Sequence, residues 1–177
     1  MCGFKLLTPC QLFGEVEAIC YEIDAIVARI GDGPAPVADA LRTLALMQKH
    51  VPNAERQLKQ NLAALRVLDD KAQLAYILNQ VAIFHLGNGN LERVNIAATE
   101  ALAAAQAVNR KTEIIVASSI LAIAVAGIDG NGESRRNVET LLRNQNDISL
   151  LSARARTYLN RAKKEFDIPT PDQTVAR

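Results

Sequence analysis

A chain of 177 residues, 49% of them hydrophobic, is long enough to enclose a sizeable core and too apolar to be disordered. Aromatics are only 4%, with no Trp, so that core must be filled by aliphatic side chains and Ala, which suits close helix packing and not a β-sandwich. The formal net charge of +1 gives no global pull toward nucleic acid, and Cys2, Cys10 and Cys20, without CxxC spacing, support neither a zinc cage nor a disulfide framework.

The first predicted helix covers residues 10–30. Leu12, Val16, Ile19, Ile23, Ile26 and Ile30 form a narrow apolar seam at alternating four- and three-residue steps. Gly31-Asp32-Gly33-Pro34 ends it, Gly serving as cap and Pro blocking continuation. The apolar stretch before it is too short for a signal peptide and is followed at once by Glu15 and Glu17, so a cytoplasmic location with reduced thiols is expected.

A second helix is predicted from Pro36 to His50. The third runs from Ala54 to Asp69, with Asn53 as N-cap and a buried stripe of Leu58, Leu62, Leu65 and Leu68. The fourth runs from Ala72 to Leu86 and ends in Gly87-Asn88-Gly89-Asn90. The fifth, Leu91 to Val108, buries Val94, Ala97, Ala98, Ala101, Ala105 and Val108, a face small enough for a neighbouring backbone to come close. A sixth covers 112–126 and a seventh 133–146. The eighth, Ile148 to Phe166, carries Ile148, Leu151, Ala155, Tyr158, Ala162 and Phe166 on one face. Residues 167–177, with Pro169 and Pro171, are expected to form a flexible tail. No segment alternates like a strand, so the expected class is all-α. The expected organisation is a single domain over 1–166: an N-terminal helix 10–30, hairpins 36–69, 72–108 and 112–146, and a C-terminal helix 148–166.

Alternate helices begin near Pro36, Ala72, Thr112 and Ile148, in steps of 36–40 residues, the range of helix-pair repeats. Leu78-x-x-Val81-Ala82-x-x-His85, then Gly89, Val94 and Ala101-Leu102, resembles the tetratricopeptide (TPR) pattern of a large residue, a Leu-Gly pair and a Tyr, followed by a turn Gly and small residues in the second helix. His85 replaces the Tyr, Val94 a smaller Ala, and the closing Pro is missing. The match covers residues 72–108, with weaker echoes in the flanking hairpins. The resemblance implies a right-handed α-solenoid of about eight helices that serves as a scaffold or adaptor for protein partners.

Nothing in the sequence points to catalysis, a metal or a cofactor. His50 and His85 stand apart without clustered Cys or acidic neighbours, and Gly87-Asn88-Gly89-Asn90 follows no strand and precedes no Lys-Ser/Thr pair. Residues 112–128 are apolar but fall short of the roughly 20 residues a membrane span needs.

Two helices stand out because they lack a charged face. Residues 72–86 carry no charge with His85 neutral, and residues 112–126 carry only Glu113. A helix with no polar face is normally covered all round, either by the protein's own core or by a partner. Transferring the TPR groove positions puts Tyr76, Asn79, Ile83 and Leu86 on the concave side of the best-matching repeat, with Val116, Ser119 and Ile123 at the next. A protein or peptide segment is the expected occupant. Two alternatives stand beside it. The seam of the first helix would dimerise an assembly or chaperone subunit, making a homo-oligomer. Or the basic C-terminal hairpin, net +5 between Gly132 and Lys164, would hold an acidic partner or nucleic acid through Arg135, Arg136, Arg154 and Arg161. Nucleic acid is disfavoured by the scarcity of aromatic side chains for stacking.

Overall fold

A computed structural model describes residues 36–129, 132–143 and 151–168 of the chain. The predicted helix 10–30, its apolar seam, the three cysteines, Ile148 and the segment 169–177 lie outside these residues. Among the described residues there are seven α-helices and no strand: α1 (Pro36–Gln48), α2 (Ala54–Val67), α3 (Lys71–Gly87), α4 (Leu91–Ala107), α5 (Lys111–Asp129), α6 (Gly132–Arg143) and α7 (Ala153–Glu165). The chain divides into two compact units, Met1–Gln73 and Leu74–Arg177.

In the first unit α1 packs against α2. Pro36 opens α1 at the helix position where a missing N–H costs nothing. Ala38, Ala40, Leu44 and Ala45 are buried on α1, and Ala54, Leu58, Leu62 and Leu65 on α2. One polar link crosses the pair: the Asn61 amide donates to Thr43 Oγ1 at 3.0 Å, and that hydroxyl donates to the Asp39 carbonyl at 2.7 Å. Two expectations are corrected here. Leu68 is 61% exposed, because α2 stops at Val67 and Leu68 caps it instead of continuing the stripe. Asn53 makes no side-chain cap bond. It adopts the left-handed conformation (φ 67°), which Asn tolerates better than most residues.

In the second unit α5 is the central element, packed against α4, α6 and α7. Its Ile115, Val116, Ala117, Ile120, Ala122, Ile123 and Ala124 are all buried. Burial of each large aliphatic stabilises by about 1.5–3 kcal/mol, so this helix contributes heavily to the unit's core. The Ala-rich face of α4 comes close as expected: Val94, Ala97, Ala98, Ala101 and Ala105 are buried, joined by Ala104. Ala75 of α3 packs with Ala104 and Ala105, flanked by Leu74 and by Ile114 of α5. Val108 is 41% exposed, since it caps α4 and lies past its buried face.

Helix ends follow local chemistry. Asp70 Oδ1 accepts from the Gln73 N–H at 3.0 Å, Asn90 Oδ1 from the Arg93 N–H at 3.2 Å, and Ser152 Oγ from the Ala155 N–H at 3.2 Å. The Ser152 cap is why α7 starts at Ala153, leaving Leu151 and Ser152 outside the helix that was expected to include them. Four helices close on one turn geometry, with a left-handed residue after the C-cap and crossed main-chain bonds. The left-handed residue is His50 after α1, Gly89 after α3, Asn109 after α4 and Asp167 after α7. After α4, for example, Asn109 N–H reaches the Gln106 carbonyl at 3.1 Å and Arg110 N–H the Ala105 carbonyl at 2.9 Å.

Candidate partner-binding surface

The two helices without a charged face have no exposed face either. Among residues 71–87 only Gln73 and Gly87 are exposed, and among 111–126 only Lys111. Of the positions assigned to a groove, Asn79, Leu86, Val116, Ser119 and Ile123 are buried, Asn79, Val116 and Ser119 completely. Tyr76 and Ile83 are half-buried.

Three of the singled-out residues are brought together by a fourth, Glu113. The Asn79 amide on α3 donates to the Glu113 carbonyl at 3.1 Å and to its Oε2 at 2.8 Å. Arg154, near the start of α7, donates through Nη2 to Glu113 Oε1. The same guanidinium lies 4.6 Å from the centre of the Tyr76 ring, a cation–π contact. One carboxylate therefore ties α3, α5 and α7 with an amide, a cation and an aromatic ring. The sequence held one sign of it: a single acid in the first turn of a helix otherwise free of charge. Charged hydrogen bonds of this kind are about twice as strong as neutral ones, and the site is nearly shielded from water. Within it, Asn79 Oδ1 and Arg154 Nη1 are buried with no hydrogen-bond partner among the described residues, as is the Ser119 hydroxyl.

The basic end is thereby divided into engaged and free cations. Arg154 turns inward to Glu113. On α6, Arg135 Nε donates to Glu139 at 3.1 Å, and Arg143 lies 3.8 Å from the same carboxylate. Arg136 and Arg161, also singled out, are exposed, and neither is ion-paired among the described residues. On α7 the buried side is Ala155, Leu159 and Ala162. The opposite side carries Arg156, Asn160 and Lys164 in one row at four-residue steps, with Arg161 beside it, all exposed. Arg156, Arg161, Lys163 and Lys164 have no ion-pair partner among the described residues. Arg42, Lys59 and Lys71 each sit beside a carboxylate. Arg156 and Lys164 belong to the basic run read from sequence, but only the turn of α7 shows that they share the solvent side with Arg161. Tyr158 is half-buried at the edge of this surface. Burial raises its phenol pKa above the ordinary value, and the nearby Arg161 and Arg154 charges partly offset the rise.

Among the described residues no three His, Cys, Asp or Glu side chains gather to hold a metal ion, and no helix is long and apolar enough to cross a membrane. No protein-family model, curated protein or solved structure matches this chain.

Proposed function

We propose that the chain is a protein-recognition module, a TPR-like scaffold of helical hairpins that binds an acidic protein or peptide segment along the exposed side of α7. The observation that carries this reading is the row Arg156, Asn160, Lys164 with Arg161 beside it, cationic and without acidic partners among the described residues, in a protein of near-zero net charge. Unpaired cations on one helix face create a local positive potential that the whole-chain charge hides, and such a potential steers and orients an oppositely charged partner. The burial of Asn79, Val116 and Ser119 supports a partner surface away from the uncharged helices. Asn160 adds a hydrogen-bonding group between the cations, suited to a carboxylate or main-chain amide. Protein is preferred to nucleic acid because aromatic side chains for base stacking are scarce beside the exposed cations of α7, and Tyr158 among them is half-buried.

The test is fluorescence anisotropy with a labelled peptide of alternating Glu and Leu, a neutral Gln-Leu control and a single-stranded RNA of similar length. Binding of the acidic peptide is expected to weaken as salt rises from about 50 to 300 mM, over which the Debye length shortens from about 14 to 6 Å. Arg156→Glu with Arg161→Glu is expected to lower its affinity at least tenfold while helix content stays constant. Tighter binding of the RNA, with a steep salt slope, would replace the acidic segment by nucleic acid as the partner. Equal binding of the neutral control, or a double reversal without effect, would remove α7 as the recognition surface.

A further inference from the structure

A second surface of the Leu74–Arg177 unit is unlike the first: no charged side chain among the described residues lines it. Helices α4 and α6 each pack on α5 but make little contact with one another. Where they diverge, a cleft of about 340 Å³ opens along α5. Leu121, Ala122 and Val125 of α5 form its floor, Leu102 of α4 one wall, and Asn137 and Leu141 of α6 the other, with Ser118 at the rim. The α5 residues fall on one face at steps of three and four, so the floor follows from the same helical period that fills the core.

Among the described residues no acidic or basic side chain lines this cleft. Its volume lies at the lower end of the roughly 300–1,000 Å³ of small-molecule sites, and an apolar cavity of about 150 Å³ already holds benzene. Four of the lining residues are polar: Ser118 on α5, and Ser134, Asn137 and Thr140 on α6. Thr140 spends its hydroxyl proton on the Arg136 carbonyl at 2.8 Å. The Ser118 hydroxyl and Asn137 amide make no hydrogen bond to other described residues and remain able to bond an occupant. An apolar floor facing a wall of hydroxyl and amide groups, without charge, is the composition expected of a site that orients a neutral amphipathic molecule. A carboxylate or ammonium would lose its hydration here without finding a counter-charge.

We infer that the cleft between α4, α5 and α6 is a binding site for a small uncharged amphiphile, a single ring or short branched chain bearing one hydroxyl or carbonyl group. This site is independent of the α7 surface, since none of the α7 cations lines it. The apolar body lies on Leu121, Ala122 and Val125, and the polar group meets Asn137 or Ser118.

The experiment uses the full chain and cyclohexanol, with cyclohexanecarboxylate and cyclohexylammonium as charged counterparts of the same shape, read by methyl NMR. Saturable shifts are expected at the methyls of Leu102, Leu121, Val125 and Leu141, with both charged probes binding at least tenfold more weakly. Ala122→Phe, which fills the floor, is expected to reduce cyclohexanol affinity at least tenfold. Because that variant tests packing as well, Asn137→Ala at an exposed position is the second arm, with a three- to tenfold loss for cyclohexanol and an unchanged melting temperature. The inference is overturned by any of three results. Shifts are absent up to the probe's solubility. They are no larger in the cleft than at the exposed Ile96, Val67 and Leu68. Or the neutral and charged probes bind alike.

Discussion

The side-chain amide of Asn79 donates to both the carbonyl and the carboxylate of Glu113, at 3.1 and 2.8 Å, and so fixes a residue 34 positions further along the chain. Glu113 is 8% exposed, and its remaining oxygen accepts from Arg154. Breaking one side of a buried ion pair leaves the other charge desolvated and unpaired. Glu113→Gln and Arg154→Met are therefore each expected to destabilise by about 3–5 kcal/mol, the arginine change toward the lower end because that side chain keeps some contact with water. The double variant is expected to lose less than the sum by about 1–3 kcal/mol. Urea unfolding of the four proteins measures this coupling, and strict additivity would mean the pair contributes nothing as a pair.

Two fully buried polar side chains on neighbouring helices should respond in opposite ways. Asn79→Asp sets a second carboxylate against Glu113 inside the protein and is expected to cost at least about 3 kcal/mol at neutral pH. Ser119→Ala removes a hydroxyl that has no partner among the described residues, and is expected to be neutral or stabilising by up to about 1 kcal/mol. Thermal melts of the two variants distinguish a side chain held by hydrogen bonds through its amide N–H groups from one that makes none among the described residues.

Tyr158 supplies a pH dependence. Its pKa is raised in the folded chain, chiefly by burial, so the folded state holds the phenolic proton more tightly than the unfolded state. The unfolded phenol ionises near pH 10, and above that pH the unfolded state has lost a proton that the folded state keeps. The resulting stabilisation is complete below about pH 10 and is lost as pH rises through the folded pKa. Tyr158→Phe should flatten this part of the alkaline stability profile, and spectrophotometric titration should show a late-ionising tyrosine signal that is lost in the variant.

The recurrent helix-closing turn predicts substitutions of opposite sign. His50, at φ 54°, holds a left-handed conformation that costs an ordinary L-residue about 1–2 kcal/mol. His50→Gly is expected to stabilise by up to about 1 kcal/mol, after the extra entropy of glycine in the unfolded chain is subtracted. Gly89→Ala is expected to destabilise by about 1 kcal/mol through its φ of 70° alone, because an added Cβ there meets no atom within 4 Å. Paired chemical melts check both signs.

Local signals carried most of the secondary structure. The apolar periods of Leu58, Leu62 and Leu65 and of Val94, Ala97, Ala98 and Ala101 identify the buried faces, and Gly89 marks its turn. The errors fall at helix ends, where Leu68, Val108 and Leu151 continue the period but the backbone has already turned away. Ser152 shows the competing signal: a side-chain cap sets the first residue of α7 more strongly than an apolar residue upstream. The site was less legible. The scarcity of charge over residues 72–86 and 112–126 reads equally as a covered core and as a groove awaiting a partner, and burial of Asn79, Val116 and Ser119 favours the first. Glu113 meets Asn79 and Arg154 across 34 and 41 residues, a pairing that no window of local sequence encodes.

The covering of α5 also sets an order of events during synthesis. This helix is complete at Asp129, but α7, which packs on it and supplies Arg154 to Glu113, ends only at Glu165. At about 5–20 residues per second the ribosome needs roughly two to seven seconds to make that later stretch. Until then the nascent chain carries an apolar helix with one side uncovered and an acid without its cation. A chain interrupted after α6 would keep that state permanently, a substrate for chaperones and proteases instead of a shorter version of the folded protein.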